Sequence, residues 1–238
     1  MAGKADILVV LPTLGDRPEK LERAIESVHA QRRDVSVRVV LVIPEDKKDV
    51  IVWATAHRVD IVADPGTGMS AAINAGLAAR QGEQFYIWLG DDDFYQPGGL
   101  ATLRAMLLAD NRAVVAYGGC DYVDDDGQVL WTSQAGRLAS WLIGKGPNLV
   151  PHPAAMMRLD ALEQVGGYDN TLSLAMDLDV LLKLKKKGRF VATTDVVSAF
   201  GWHPGSLTVH DRKKSSGEAR TVKRRHLPAP LRPLEPLW

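Results

Sequence analysis

Cysteine is almost absent from this sequence: Cys120 is the only one in 238 residues. A single thiol can neither close a disulfide within the chain nor build a zinc knuckle, and it points to a reducing, cytoplasmic setting. Net charge is missing too, because 29 basic residues balance 29 acidic ones. That removes the overall positive field on which a nucleic-acid binder depends. No apolar run approaches the roughly 20 residues needed to span a bilayer. The first run, residues 7–11, is too short for the core of a secretory signal and has no cleavage site after it. Internal repeats are also lacking. What is present, 46% hydrophobic and 24% charged residues, is the composition of a globular chain long enough to bury a sizeable core.

The apolar runs alternate in kind. Residues 7–11, 35–43 and 59–62 are β-branched and continuously apolar, as strands covered on both faces should be. Between them, Leu21, Ala24, Ile25 and Val28 fall at helical spacing after Pro18, and residues 50–57 read as a second, shorter helix. Strand, helix, strand, helix, strand predicts an α/β fold with a parallel, right-handed sheet. Further helices are predicted over 71–80, 98–110, 134–143, 159–165 and from Ala175 to a stop at Gly188, the third with Leu138, Trp141 and Leu142 on its apolar side. Residues 113–117 and 190–200 read as strands, and 122–131 as a hairpin turning at Asp124-Asp125-Asp126-Gly127.

The apolar run ending in Tyr86-Ile87-Trp88-Leu89 stops at Gly90 and three carboxylates, Asp91, Asp92 and Asp93. Acids at the end of a buried strand lie where open α/β sheets bind ligands. Hard oxygen ligands suit Mg²⁺ or Mn²⁺ held together with a substrate diphosphate. An acidic turn capping the next helix is the structural alternative. The glycine-bearing loop at 64–70 could cradle phosphate through its N–H groups, although it matches neither phosphate-binding fingerprint in full. At a later helix start, Asp177 and Asp179 are two residues apart and point to different faces, which leaves one free for chemistry while the other serves the helix dipole. Beyond residue 210 the chain turns basic and then proline-rich. Such a tail reads as solvated, with an anionic membrane surface as the alternative contact.

Five stretches in order resemble the family-2 glycosyltransferases: residues 11–31 from Leu11-Pro12-Thr13-Leu14-Gly15-Asp16-Arg17; 68–76 with Asn74; 89–100 with the acidic triplet; His152-Pro153 to Arg158 with Gly166-Gly167-Tyr168-Asp169; and Ala175-Met176-Asp177-Leu178-Asp179. The resemblance covers the chain to about Thr208. It implies a single GT-A (Rossmann-like) domain over 1–210, its mostly parallel central sheet flanked by helices, with a nucleotide-binding half (1–93), an acceptor-binding half (94–210) and a tail (211–238). The implied activity is inverting transfer of a sugar from a nucleoside-diphosphate sugar to the hydroxyl of a carbohydrate or glycolipid acceptor, in polysaccharide or glycoconjugate synthesis. Carried over residue by residue, Pro12, Thr13, Leu14, Arg17, Glu45, Asn74, Asp91 and Asp92 would contact the donor. Asp92 with Asp93 would hold a divalent cation, Mn²⁺ or Mg²⁺. Asp177 would be the catalytic base, kept ionised by its helix start, and His152, Asp179 and His203 would serve the acceptor side or support it. His203 and His210 are also candidates for a phosphate or metal contact, whereas Trp88 and Trp202 read as packing residues.

Two departures stand out. Where the family has an acid followed by Gly-Ser, this chain has Ile43-Pro44-Glu45-Asp46, so contact to the base falls to Glu45 or is missing. Gly90 stands where the first acid of the Asp-x-Asp motif would fall, which leaves Asp92 as the preferred ligand. A nucleotidyltransferase with a similar metal seat and a non-catalytic sugar-nucleotide-binding scaffold are the rival readings. The expected setting is cytoplasmic, with peripheral membrane contact through the basic tail and no nucleic-acid partner.

Overall fold

Period-two alternation in the first strand sets the layering of the molecule. The computed structural model describes residues 5–134, 136–202 and 212–227. In β1 (Ile7–Pro12), Ile7, Val9 and Leu11 face one side, where they pack with Leu21, Ile25 and Val28 of α1 (Pro18–Ala30) and Leu100, Leu103 and Leu107 of α4 (Gly99–Ala109). Leu8 and Val10 face the other, against Ala72, Ile73 and Leu77 of α3 (Met69–Ala78). Every side chain from Ile7 to Leu11 is fully buried. At about 1.5–3 kcal/mol for each large aliphatic side chain buried, both faces of this strand need a helical cover.

Around β1 the chain lays down β2 (Val37–Ile43), α2 (Lys48–Ala56) and β3 (Asp60–Ala63) to one side, then returns past α3 to place β4 (Phe85–Trp88) on the other. These four strands are mutually parallel, in the order β3-β2-β1-β4. The remaining half is mixed. It contains β5 (Phe94–Tyr95), β6 (Ala113–Val123), β7 (Val129–Ser133), β8 (Ala155–Arg158) and β9 (Arg189–Gly201). The full order is β3-β2-β1-β4-β8-β6-β9-β5, with β7 on β6. β8 is antiparallel to both neighbours, and β9 is parallel to β6. The expected mostly parallel sheet flanked by helices is what forms. Its direction of winding reverses between β1 and β4, the place where open α/β sheets open a crevice at their carboxyl ends.

Four details differ from the sequence expectation. β6 runs on through Gly118 and Gly119 to Val123, because β9 approaches so closely that a Cβ on Gly118 would stand 2.8 Å from the Val197 methyl groups. β5 is only two residues long, pairing Phe94 with Ala199 and Tyr95 with Ser198, and such a strand leaves no period to read. In α5 (Gly136–Leu142) the inward residue is Ala139, followed by Ile143, whereas Leu138 and Trp141 are more than half exposed. The apolar side expected of that helix is thus not its buried side. Finally, the basic segment forms α8 (Arg212–His226), which packs on α7 (Met176–Lys185) with Val222 fully buried. A tail expected to be solvated is a docked helix over this span; residues 228–238 lie outside the described residues. The helix α6 (Leu159–Gln164) and the turn after it, with Gly166 and Gly167 at positive φ, lead from β8 to α7. Among the described residues no helix is long and apolar enough to cross a membrane.

Candidate active site

The loops after β1 and β4 meet at the crevice, and the first thing they share is charge. Thr13 donates its hydroxyl to Asp91 Oδ2 at 2.6 Å, and Arg17 reaches across to Asp92 Oδ2 at 2.7 Å while also pairing with Asp91. The residues 13–17 can bend back in this way because Gly15 takes φ +73° and its N–H donates to Thr13 Oγ1. Burial opposes charge on the Arg17 guanidinium, yet Asp91 and Asp92 outweigh it and hold its pKa above the ordinary value. Asp91 is 4% exposed and its pKa is raised: burial dominates over the Thr13 hydrogen bond and the Arg17 charge. Asp92 keeps more of its side chain open than its neighbours in the triplet.

Asp93 does something else. It is 1% exposed, and it accepts from Gly201 N at 2.9 Å, Gly90 N at 3.2 Å and His152 Nε2 at 3.0 Å. Its two oxygens tie the triplet to the end of β9 and to the segment before β8. Asp93, expected beside Asp92 as a metal ligand, is turned inward and engaged by three donors. Gly201 permits the approach, since a Cβ there would sit 2.7 Å from the Asp92 carbonyl oxygen. Gly90 has a comparable reason. A Cβ at that position would lie 2.8 Å from Asp93 Oδ2 and 3.0 Å from Asp92 Oδ1, so an acid there would crowd the arrangement the triplet adopts.

A fourth acid joins from the opposite side. Trp88, the last residue of β4, donates its indole N–H to Asp177 Oδ1 at 3.0 Å, in the first turn of α7. Its ring stacks on His152, with centroids 4.0 Å apart and planes 11° from parallel, and Phe200 meets the His152 ring edge-on. Trp88 thus does more than pack: it links the strand that ends in the triplet to the helix start. Burial pushes the Asp177 carboxyl above its usual pKa, while the His152 charge and the Trp88 hydrogen bond pull it back. The expectation that the helix start alone would keep Asp177 ionised omitted this burial. His152 moves the other way from what burial would do. Burial disfavours its charged ring, but the Asp93 hydrogen bond and the charges of Asp93, Asp177 and Asp92 raise its pKa.

The other expected residues fall in different places. Pro12 ends β1 and is buried, Leu14 is 63% exposed beside it, and Glu45 is exposed on the loop after β2. That loop reaches the loop after β1 through the Lys47–Asp16 ion pair. Asn74 is not brought to the acids. Its amide donates to Tyr168 O and Asn170 Oδ1, both at 2.8 Å, and accepts from Tyr168 N at 3.1 Å, fastening α3 to the 166–170 turn. Asp179 is also engaged, 2.8 Å from Lys183 Nζ and 2.8 Å from His226 Nε2. His203 and His210 lie outside the described residues. Sequence reasoning missed Arg23, whose guanidinium lies over the Phe94 ring and reaches the Asp92 carbonyl at 3.3 Å. Its place one helical turn after Lys20 on α1 gave no distinguishing signal.

A divalent cation fits this site only in part. Two carboxylates, Asp91 and Asp92, already converge on one positive group, the Arg17 guanidinium, so the pocket suits a cation. Among the described residues, however, no three side chains of the metal-ligating kinds converge. That is compatible with Mg²⁺ or Mn²⁺, which commonly take one or two carboxylates and complete their shell with substrate phosphates and water.

The sequence profile described as glycosyl transferase family 2 matches residues 8–166 of this chain. An uncharacterized glycosyltransferase of Rickettsia typhi is 26% identical over 171 residues, 68% of this chain and 54% of its own length. Chondroitin synthase of Pasteurella multocida is 24% identical over 139 residues, 56% of this chain and 14% of its own length. The chain thus spans about half the length of the first relative and a small part of the second. Among solved structures, S. aureus TarS 1–349 in complex with UDP-GlcNAc superposes with a TM-score of 0.65 at 17% identity, covering 93% of this chain and 65% of that one. The mannosyltransferase PcManGT from Pyrobaculum calidifontis, in complex with GDP-Man and Mn²⁺, gives a TM-score of 0.68 at 17% identity, covering 98% and 69%. At these identities the likeness is one of fold.

Proposed function

The chain belongs to glycosyl transferase family 2 and has the GT-A fold, and from that premise we propose that it moves a sugar from a nucleoside-diphosphate sugar to an acceptor hydroxyl with inversion. The observation that carries the reading is the Trp88–Asp177 hydrogen bond, because it joins the strand ending in the acid triplet to a carboxylate poised at a helix start. Thr13, Arg17, Asp91 and Asp92 form the donor end. Arg17 can leave its two carboxylates for the diphosphate, since its side chain is 40% exposed. Asp92, with Asp91 beside it, would hold a divalent cation, which supplies positive charge to the departing nucleoside diphosphate.

Asp177 accepts the proton of the acceptor hydroxyl as that oxygen attacks the anomeric carbon, the bond to the diphosphate oxygen breaking on the opposite face. Trp88 fixes the carboxylate through Oδ1 and leaves Oδ2 to face the acceptor. His152 holds the loop after β4 to the acceptor side through Asp93. The acceptor is a carbohydrate or glycolipid hydroxyl, in polysaccharide or glycoconjugate synthesis.

Asp177→Asn tests the reading. Transfer, or donor hydrolysis where water replaces the acceptor, should fall by about 10²- to 10⁴-fold, the usual contribution of general base catalysis, while nucleotide binding persists. Purified protein with Mn²⁺ that neither binds nor hydrolyses any of a panel of UDP- and GDP-sugars would overturn it. Hydrolysis unchanged in Asp177→Asn would reassign the base.

A further inference from the structure

The N-terminus of α7 has no capping side chain of its own: Ala175 stands at the cap position, and it makes no side-chain hydrogen bond. The missing partner comes from α8, more than forty residues later. Glu218 Oε2 accepts from Leu174 N at 2.8 Å, Ser173 N at 3.1 Å and Ala175 N at 3.1 Å. One carboxylate therefore satisfies three consecutive backbone donors, two to four positions before Asp177 and at the positive end of the helix dipole. Two further contacts from the same helix fall on the same stretch of chain. Arg225 Nη1 lies 3.0 Å from Asp169 Oδ2 in the turn after α6, and His226 Nε2 lies 2.8 Å from Asp179 Oδ1, half a turn beyond Asp177. Val222 is fully buried between these polar contacts. Glu218 is also the only acid in an otherwise basic helix. A purely electrostatic role for α8 would have no use for it.

We propose that α8 is a positioning element for the catalytic base: Glu218 clamps residues 173–175, and His226 and Arg225 secure the flanks, so that Asp177 is held where Trp88 and the acceptor meet it. The inference rests on the reading of Asp177 as the base. Glu218 touches neither donor nor acceptor and acts only through the backbone. Its loss should lower turnover without altering the donor end of the site.

The test uses the full chain with Mn²⁺ and UDP- or GDP-sugars as probes, measuring hydrolytic kcat, the Kd for UDP or GDP, and the hydrogen exchange of amides 173–177. In Glu218→Ala, kcat should fall by about 10- to 100-fold, the scale on which a misplaced catalytic group loses rate, with nucleotide Kd within about twofold of the original protein. Amides 173–175 should exchange faster. Glu218→Gln keeps an accepting oxygen and should recover most of the lost turnover, a rescue that a general loss of fold would not show. Turnover of Glu218→Ala within about twofold of the original protein overturns the proposal, as does a loss of nucleotide binding and of kcat together that follows the unfolded fraction. If Glu218→Ala does not fold, Glu218→Asp decides in its place, because a side chain one methylene shorter cannot reach the three amides: unchanged exchange at 173–175 with unchanged kcat refutes the clamp. An original protein that binds no nucleotide would instead refute the assignment of function, so the two failures are distinguishable.

Discussion

At the scale of single residues, the site is governed by a conflict between burial and charge. Asp177 is pushed upward in pKa by desolvation and partly restored by His152 and Trp88. A carboxyl whose folded pKa exceeds its unfolded value binds its proton more tightly in the native state, so its contribution to stability declines as pH rises from the ordinary value of about 3.9 through the raised one. At neutral pH the ionised Asp177 therefore strains the fold it serves. Asp177→Asn, which keeps an oxygen for the Trp88 N–H, should abolish most turnover while leaving the thermal midpoint at pH 7 equal or higher; a clear drop in that midpoint contradicts this account. The indole gives a second check. Its N–H favours the ionised carboxylate, so Trp88→Phe should move the acid limb of the kcat/KM profile to higher pH, and a limb that stays put or moves down would show that the bond does not tune Asp177. Of these residues, Asp177 and the triplet were legible in the sequence because acids interrupt apolar runs there. The inward turn of Asp93 was not, since three adjacent aspartates look alike until the partners, Gly201, Gly90 and His152, are assembled from distant parts of the chain.

At the scale of elements, what was legible followed from period and length. The parallel half and its helices could be read because residues such as Ile7, Leu8 and Val9 alternate between two apolar covers, and α1 repeats at Leu21, Ala24, Ile25 and Val28. β5 is too short for any period, and α5 buries alanine while exposing tryptophan, against what composition leads one to expect. α8 was hidden by its charge: a run of Arg and Lys reads as solvated, and the burial of Val222 against α7 shows only once the helix is docked. The packing of these elements makes glycine substitutions informative in sign. Ala is favoured over Gly in a helix by about 1 kcal/mol. At Gly99 that gain cannot decide the outcome, because a Cβ would stand 2.2 Å from the Val197 carbonyl oxygen, a backbone atom that yields little. Gly99→Ala should destabilise by about 1–3 kcal/mol, the usual cost of overpacking. Gly217 in α8 has open space around its Cβ position and no positive φ. Gly217→Ala should therefore stabilise by up to about 1 kcal/mol. Urea melts of both variants check the pair, and equal signs would contradict it.

At the scale of the whole molecule, the site belongs to neither half of the sheet alone. Thr13 and Arg17 come from the parallel half, Asp177 and His152 follow the mixed half, and β4 touches both through Asp91 at one end and Trp88 beside it. A ligand spanning the crevice would therefore couple the two halves, and its binding should register as global stability rather than as a local change. For one site, ligand at about 100 times its Kd adds roughly 2.7 kcal/mol. For a domain of this size each kcal/mol raises the melting midpoint by about 2–4 °C. A nucleoside diphosphate of the right base should then raise the midpoint by roughly 5–11 °C at that excess. The two bases need not behave alike, because the loop after β2 offers only the exposed Glu45 and Asp46 to replace the family's usual contact. Melting with UDP and GDP, each with and without Mn²⁺, measures this directly. A shift that needs both nucleotide and Mn²⁺, and that disappears in Asp92→Asn, would support a cation held between Asp92 and the phosphates. A full shift with nucleotide alone would leave the Arg17 guanidinium as the positive group that neutralises the diphosphate, and no shift with either base would count against a nucleotide crevice between β1 and β4.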